Sequence, residues 1–252
     1  EEIINDILVQ KDTLALLPTG GGKSICYQIP ALVKEGICIV ISPLVALMKD
    51  QTSKLQKHNI KAIAITGGLN QHELDIALDN CIYGNIKLLY VSPERLESDL
   101  VRERIKKMNV NLIAVDEAHC ISQWGYDFRP SYLKIAEIRA LKPESPILAL
   151  TATATKKVAE DIQDKLLFKK QNVIQNSFRR PNLAYMALEE SHKSTRVHKI
   201  LQKIKGPAII YVRNRKKTYE FSSELNKLGI SSTYYHAGLS EDERTANQAK
   251  WM

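Results

Sequence analysis

Short apolar runs alternate with longer amphipathic stretches over the first two thirds of the chain. The runs are rich in β-branched residues and lie at residues 12–17, 37–41, 62–65, 87–91, 112–115 and 147–150. Because they are apolar on both faces, they are typical of buried parallel strands. We predict an α/β fold in which helices cover both faces of a parallel sheet through right-handed crossovers.

The intervening stretches have helical character and lie at residues 2–9, 25–33, 44–57, 71–83, 99–108, 132–140 and 156–166. In the stretch 44–57, helical spacing predicts a single buried stripe made of Leu44, Leu47, Gln51 and Leu55. Another begins like a capping box, because Asn70 is followed three residues later by Glu73.

The alternation breaks near residues 176–181 and then resumes in a shorter unit. An extended run at 183–188 and a polar stretch at 189–195 follow the break. The shorter unit then has predicted helices at 198–203, 216–228 and from 240 onward, and predicted strands at 208–212 and 232–235. Two strands are too few for a complete α/β domain. We therefore predict a first domain at 1–177, a linker at 178–195 and the N-terminal part of a second domain at 196–252.

The composition is that of an ordinary soluble globular protein, with 44% hydrophobic and 25% charged residues among 252. No apolar run is long enough to span a membrane, and the N-terminus does not resemble a signal peptide. The four scattered cysteines form no C-x-x-C pair, which argues against a zinc site and for a reducing compartment. We expect an intracellular protein and, since the first residue is not Met, either a fragment of a longer chain or a processed form.

The net charge of +8 is unevenly distributed. From residue 178 onward there are 14 Lys and Arg against 7 Asp and Glu, whereas residues 1–177 are nearly balanced. A basic second part favours a polyanionic partner. The alternative is a solvated surface whose acidic counterpart lies elsewhere, because charge alone indicates partners and not fold.

Residues 14–24, with the sequence LALLPTGGGKS, have the layout of a P-loop between a strand and a helix. Glycines let a backbone wrap around a phosphate, and a helix N-terminus directs amide groups at it. Lys23 is expected to reach the β- and γ-phosphates of ATP, and Ser24 to bind Mg²⁺. The other predicted nucleotide contacts are Thr19, Gly20, Gly21 and Gly22. Leu17 departs from the strict pattern, which has glycine there, and the alternative is a glycine-rich turn with an exposed lysine.

Residues 112–119, with the sequence LIAVDEAH, are an apolar strand ending in two carboxylates and a histidine. Asp116 is predicted to bind Mg²⁺, and Glu117 to orient and deprotonate an attacking water. A metal ligand beside a base favours hydrolysis over nucleotide storage. The alternative is a strand followed by a solvated turn.

These motifs resemble the RecQ family of superfamily 2 DNA helicases. The most specific match is residues 120–130, CISQWGYDFRP, which resembles the aromatic-rich loop of that family. The other matches, in the family's order, are residues 41–44 (ISPL), 48–51 (MKDQ), 90–95 (YVSPER), 148–154 (LALTATA), 178–183 (FRRPNL), 210–215 (IYVRNR) and 235–239 (YHAGL). The resemblance covers nearly the whole chain and implies a RecA-like P-loop motor domain followed by part of a second RecA-like domain.

The resemblance also implies which residues bind single-stranded DNA or couple it to ATP hydrolysis. Trp124, Tyr126 and Phe128 would stack on unpaired bases, and Arg129 would contact phosphate or base faces. The other implied residues are Ser42, Arg95, Gln123, Thr151, Thr153, Arg213, Asn214 and His236. His119 would join the Glu117 site to the threonines. Capping by Ser42 and the threonines, and core packing by Phe128, are the alternatives.

The family's activity would be ATP-driven 3′-to-5′ unwinding of DNA in repair and recombination, by a monomer in the bacterial cytoplasm or nucleoid or the eukaryotic nucleus. Its adenine-reading motif would precede Glu1, and its arginine-finger motifs, zinc-binding region and winged helix would follow Met252. We therefore expect this chain alone to unwind little or no DNA. Tyr126 stands where the resemblance leads us to expect histidine. A non-catalytic nucleic-acid-binding module and an RNA helicase are the alternatives, and the aromatic-rich loop favours DNA.

Overall fold

The computed structural model describes residues 1–125, 127–179, 182–204 and 206–251. The chain divides into two units, Glu1–Arg180 and Pro181–Met252. The helices are α1 (Glu2–Leu8), α2 (Lys23–Val33), α3 (Val45–Lys57), α4 (Gln71–Tyr83), α5 (Asp99–Lys107), α6 (Ile135–Leu141), α7 (Lys156–Lys165), α8 (Lys193–Lys203), α9 (Arg215–Lys227) and α10 (Glu241–Trp251). The strands are β1 (Thr13–Leu16), β2 (Ile37–Ile41), β3 (Ala62–Ile65), β4 (Leu88–Val91), β5 (Val110–Val115), β6 (Ile147–Thr151) and β7 (Val173–Gln175).

The first unit is built on one parallel sheet with the strand order β3-β4-β2-β5-β6-β1-β7. The six predicted strands are confirmed. Strand β7 was not predicted, because it is only three residues long and lies at the sheet edge beside β1 with two of its side chains exposed. The predicted parallel α/β fold is therefore correct for this unit.

The sheet is buried on both faces because successive residues of its central strands enter different apolar clusters. In β2, Ile37, Ile39 and Ile41 pack into one cluster, while Cys38 and Val40 pack into the other. Every residue of β1, β2, β4 and β6 is buried. This two-sided burial explains why their sequences are apolar throughout.

A buried ion pair lies where β1 and β6 begin. Arg139 makes a two-pronged contact with Asp12, with both nitrogen–oxygen distances 2.9 Å. The Asp12 carboxylate also accepts hydrogen bonds from the backbone amides of Ile147 and Lys169, each at 2.8 Å. The guanidinium donates a further bond to the Ser145 carbonyl. This cluster joins α6 to the base of the sheet.

Helix α3 buries a different stripe from the predicted one. Its buried residues are Met48, Thr52 and Leu55, whereas Leu44 is about half exposed. Only Leu55 of the predicted stripe is therefore correct. Helix α4 begins with the predicted capping box, in which Asn70 and Glu73 exchange hydrogen bonds of 2.9 and 3.0 Å.

The described residues of the second unit form helices α8, α9 and α10 and contain no strand. The strands predicted at 208–212 and 232–235 are therefore wrong for this structure. A lone pair of parallel strands lacks the neighbours that stabilise a sheet, and the Tyr211 side chain is 90% exposed. Helix α8 begins at Lys193, inside the predicted linker, and the predicted domain limits stay predictions. Within the described ranges, none of the helices combines the length and apolarity that a membrane crossing requires.

Candidate active site

The turn after β1 has the backbone shape of a phosphate-binding loop. The amide of Gly21 donates to the carbonyl of Pro18 at 2.9 Å, and a Cβ at Gly21 would lie only 2.9 Å from that oxygen. Gly20 and Gly22 have φ angles of 79° and 80°, in the left-handed region that favours glycine. All three glycines are therefore explained by the local backbone.

Helix α2 begins directly after this turn, so its free amide groups face the same space. Gly22 is its N-cap and supplies no side-chain cap, which leaves the helix end open to an anion. Lys23 and Ser24 lie in its first turn. Leu17, the departure from the strict pattern, is buried in the core, and its amide donates to the Thr151 carbonyl at 3.1 Å.

The acidic pair follows β5 and is held by backbone contacts. The Asp116 amide donates to the Ile41 carbonyl at 2.9 Å, and the Tyr132 hydroxyl donates to the Asp116 carbonyl at 3.0 Å. Glu117 has a left-handed backbone with φ 47°, a strained conformation of the kind that persists at functional sites. Tyr132 was missed as a site residue, because the sequence indicates only that it belongs to a helical stretch.

A chain of side-chain contacts connects the P-loop to the end of β6. Lys23 Nζ lies 3.6 Å from Glu117 Oε1, and His119 Nδ1 lies 3.3 Å from Glu117 Oε2. The same ring nitrogen of His119 lies 2.8 Å from Thr151 Oγ1. Thr151 Oγ1 in turn accepts a hydrogen bond of 3.1 Å from the Thr153 amide. The structure thus brings together five residues that the sequence predicted to cooperate.

The electrostatics at the acidic pair favour a cation. Burial raises the pKa of Asp116, the nearby Glu117 carboxylate raises it further, and Lys23 opposes both effects. Ser24 and Asp116 offer the hard oxygen donors that Mg²⁺ prefers. In the described part of the chain, no group of three or more His, Cys, Asp or Glu side chains is arranged to hold a metal. Two protein ligands completed by phosphates and water suit Mg²⁺, so the residues fit this ion.

Two predicted DNA contacts in the first unit, Ser42 and Arg95, do not have freely exposed side chains. The Ser42 side chain is 2% exposed, its hydroxyl has no hydrogen-bond partner among the described residues, and it lines a cavity together with Ser24 and Asp116. It does not cap α3, whose N-cap is Leu44. Arg95 Nη2 donates to the Thr66 carbonyl at 2.9 Å and so ties its turn to the end of β3.

The predicted contacts in the second unit lie around the start of α9. Asn214 caps that helix by accepting a hydrogen bond of 2.9 Å from the Lys217 amide. His236 Nδ1 accepts from the Gly238 amide at 3.2 Å. Arg213 is exposed.

The aromatic-rich loop leaves the acidic pair through a short 3-10 helix, Ala118–Ile121. A Cβ at Gly125 would lie 2.5 Å from the His119 carbonyl, so only glycine fits there. Trp124 is 64% exposed, Gln123 is exposed, and Phe128 is half-buried. Tyr126, also predicted to stack on bases, lies outside the described residues.

Arg129 lies at the end of this loop and is engaged within it. Its side chain forms an ion pair with Asp127 at 2.9 Å, and this hydrogen-bonded partner raises the pKa of Arg129. Its amide donates to the Cys120 carbonyl at 2.8 Å, which closes the base of the loop. Cys120 is buried, and burial raises the pKa of its thiol to about 12.

Comparison with known proteins agrees with this geometry. The DEAD/DEAH box helicase family matches residues 1–162. Over its whole length the chain is 39% identical to the probable ATP-dependent DNA helicase RecS of Bacillus subtilis, and it spans 51% of that protein. Over 95% of its length it is 42% identical to the ATP-dependent DNA helicase RecQ of Haemophilus influenzae, and it spans 39% of that protein. The chain thus spans about half or less of these relatives, and the resemblance to RecQ helicases is confirmed.

Solved structures support the fold alone, because their sequences are distant. The structure of Mycobacterium smegmatis helicase Lhr bound to ssDNA and AMP-PNP matches with a TM-score of 0.69 at 17% identity, over 99% of this chain and 37% of that one. The DUF1998 helicase MrfA matches with a TM-score of 0.67, also at 17% identity, over 97% and 40%. Taken with the family match and the P-loop geometry, these likenesses place the fold among helicases, and the chain belongs to the DEAD/DEAH box helicase family.

Proposed function

We propose that this chain is the nucleotide-hydrolysing core of an ATP-dependent DNA helicase of RecQ type, which moves 3′ to 5′ along single-stranded DNA. One observation carries the proposal. The contacts from Lys23 through Glu117 and His119 to Thr151 are continuous, and an exposed Trp124 lies five residues beyond His119. The names of the relatives, DNA helicases that depend on ATP, support the same assignment.

The nucleotide would bind at the turn after β1. Gly20, Gly21 and Gly22, together with Thr19 and Lys23, would hold its phosphates, with the amide groups that the turn leaves unpaired as donors. Ser24 and Asp116 would hold Mg²⁺, which when bound neutralises charge that develops on the phosphates.

Glu117 is the proposed base for the attacking water. Its carboxylate has Lys23 on one side and His119 on the other, which restricts its orientation without enclosing it. The side chain of Glu117 keeps 27% of its surface exposed, so water can reach it. Proton transfer by such a positioned group contributes a factor of about 10² to 10⁴ to a rate.

DNA would contact the aromatic-rich loop. The exposed indole of Trp124 would be the main stacking surface, and Gln123, Tyr126, Phe128 and Arg129 of the same loop are the further proposed contacts. The remaining proposed contact or coupling residues are Ser42, Arg95, Thr153, Arg213, Asn214 and His236. The Ser42 side chain is buried, Arg95 is bonded to the Thr66 carbonyl, and Asn214 caps α9. DNA contacts at these three positions would therefore come from nearby backbone groups.

Phosphate release from ATP, measured with and without a single-stranded dT oligonucleotide, tests this proposal. DNA is expected to stimulate release by the chain. Lys23→Ala is expected to abolish both release and binding of a fluorescent ATP analogue. Lys11→Ala, which removes a surface lysine paired with Asp6, is the control and should behave like the parent chain. Equal release by Lys23→Ala, or stimulation only by RNA, would contradict the proposal.

A further inference from the structure

The indole of Trp124 is exposed, yet a cation already covers one of its faces. Lys157 Nζ lies 3.2 Å from the centroid of the ring. An ammonium at this distance is in van der Waals contact with the ring and is attracted by its quadrupole. It occupies the space that a base stacked on that face would need.

Lys157 is placed for this contact by the start of helix α7. Thr155 caps the helix by accepting a hydrogen bond from the Val158 amide, and Lys157 follows in the first turn. A lysine is disfavoured at a helix N-terminus, where the helix dipole repels cations. None of the described carboxylates lies within ion-pair distance of Lys157. The indole is therefore its one described charge-stabilising partner.

The far end of α7 holds the same loop more firmly. Lys165 Nζ donates to the Ile121 carbonyl at 3.2 Å and forms an ion pair with Asp161 at 3.1 Å. It also lies 5.9 Å from the Phe128 ring centroid. The loop is thus fixed to α7 near Ile121, and the exposed Lys157 contact can open without disturbing that attachment.

The Lys157 contact bridges two segments that are already joined near the acidic pair. Trp124 follows His119 by five residues, and Lys157 follows Thr151 by six. His119 and Thr151 are themselves 2.8 Å apart. A change at the Trp124–Lys157 contact therefore acts at the outer end of a short loop whose inner end touches Glu117.

We propose that Lys157 is a positioning residue for Trp124, whose ammonium covers one face of the indole in the DNA-free protein and is displaced when a nucleobase stacks there. This rests on the proposed function, in which the aromatic-rich loop binds single-stranded DNA. Displacement costs the cation–π contact and frees a lysine next to the bound strand. Lys157 thereby weakens the stacking of a nucleobase on Trp124.

Two measurements on the full 252-residue chain test the proposal. The first uses Trp251→Phe as a background, so that emission comes from Trp124, and compares Lys157→Met with Lys156→Met without DNA. Lys156 is the adjacent exposed lysine of the same helical turn and has no described ring contact, so it controls for loss of one charge. Only Lys157→Met is expected to change the Trp124 emission. Unchanged emission would overturn the proposal.

The second measurement is the affinity for a labelled dT oligonucleotide by fluorescence anisotropy. Lys157→Met is expected to bind about two- to five-fold more tightly than Lys156→Met, the strength of an exposed cation–π contact. This advantage should disappear when both are combined with Trp124→Ala, and Lys157→Arg should behave like the parent chain. Equal affinity of the two Met variants, or weaker binding by Lys157→Met, would overturn the Lys157 proposal alone. If Trp124→Ala by itself bound dT like the parent chain, the DNA-binding role of the loop would be overturned as well.

Discussion

Two charged clusters lie at opposite ends of the same strands and differ in how completely their groups are paired. At the start of β1 and β6, Asp12 and Arg139 have side chains only 1% and 6% exposed and make direct bonds of 2.8 to 2.9 Å. At the other end, Lys23 and Glu117 are 17% and 27% exposed and lie 3.6 Å apart. Both clusters join residues distant in sequence, but only the second leaves donors and acceptors available to a ligand.

The difference in pairing agrees with a structural role for the Asp12–Arg139 cluster and with the catalytic role that we propose for the Lys23–Glu117 cluster. A buried charge is tolerated when every donor and acceptor is satisfied, which is the state of Asp12. A site that binds phosphate and activates water needs open amides, a reachable carboxylate and a backbone held in place by its surroundings. The strained Glu117 and the uncapped N-terminus of α2 have these features. Loose pairing at a well-supported position thus distinguishes the end of the sheet that we propose to be functional.

The largest effect on stability should come from removing the cation of the Asp12–Arg139 cluster. Arg139→Met leaves Asp12 buried without its cation and is expected to lower the free energy of unfolding by about 3–5 kcal/mol. Urea unfolding followed by circular dichroism measures this loss. Lys11→Met removes the surface pair with Asp6 and should change stability by less than about 1 kcal/mol. Similar losses in the two variants would show that the Asp12 cluster is not the structural anchor.

Removing the exposed Trp124 side chain should weaken DNA binding and leave the fold intact. Trp124→Ala is expected to weaken binding of a dT oligonucleotide by about 1–3 kcal/mol, because one stacking surface is lost. Anisotropy titration measures the change. Tyr83→Ala removes an aromatic that is 80% exposed at the end of α4 and serves as the control. Equal effects of the two substitutions would mean that the loop has no special role.

The glycine turn should be sensitive to backbone strain even where space is free. A Cβ at Gly22 would meet no atom within 4 Å, but φ of +80° disfavours alanine by roughly 1–2 kcal/mol. Gly22→Ala is therefore expected to lower both the urea midpoint and the affinity for an ATP analogue. Gly67→Ala also has free space, without a left-handed φ, and should be neutral or slightly stabilising. A neutral Gly22→Ala would argue against the turn as an ordered cradle.

A helix cap outside both clusters shows whether a loss of stability by itself alters ligand binding. Asn70→Ala removes the capping-box bonds of α4 and is expected to cost about 1 kcal/mol of stability without changing nucleotide or DNA affinity. Gln71→Ala, at the adjacent exposed position, is the control. Altered nucleotide binding by Asn70→Ala would mean that a loss of stability far from the site also changes binding there. The two clusters would then not differ in the way that we describe.

Much of the first unit could be predicted because its strands are buried on both faces, so their apolar runs mark their limits closely. The stripe of α3 was misjudged because a helical pattern rich in apolar residues allows more than one face, and packing selected Met48 and Thr52. The strand predictions in the second unit were wrong for another reason. A strand is defined by its pairing partners, and an extended apolar run such as 208–212 does not form a ladder by itself.

Motif order placed Lys23, Glu117 and His119 together because parallel strands bring their carboxyl ends to one rim. The Asp12–Arg139 pair could not be found in the same way, since 127 residues separate its members and no motif marks them. Tyr132 and Lys157 escaped prediction likewise, because each acts through a neighbour that only the tertiary structure supplies.

The most direct test of the contrast between the two ends is Glu117→Gln, measured for both stability and phosphate release. We predict an unfolding free energy within about 1 kcal/mol of the parent chain, retained binding of an ATP analogue with Mg²⁺, and phosphate release slowed roughly 10²- to 10⁴-fold. Unchanged phosphate release, or a loss of stability as large as that expected for Arg139→Met, would contradict the assignment of this end of the sheet as the catalytic one.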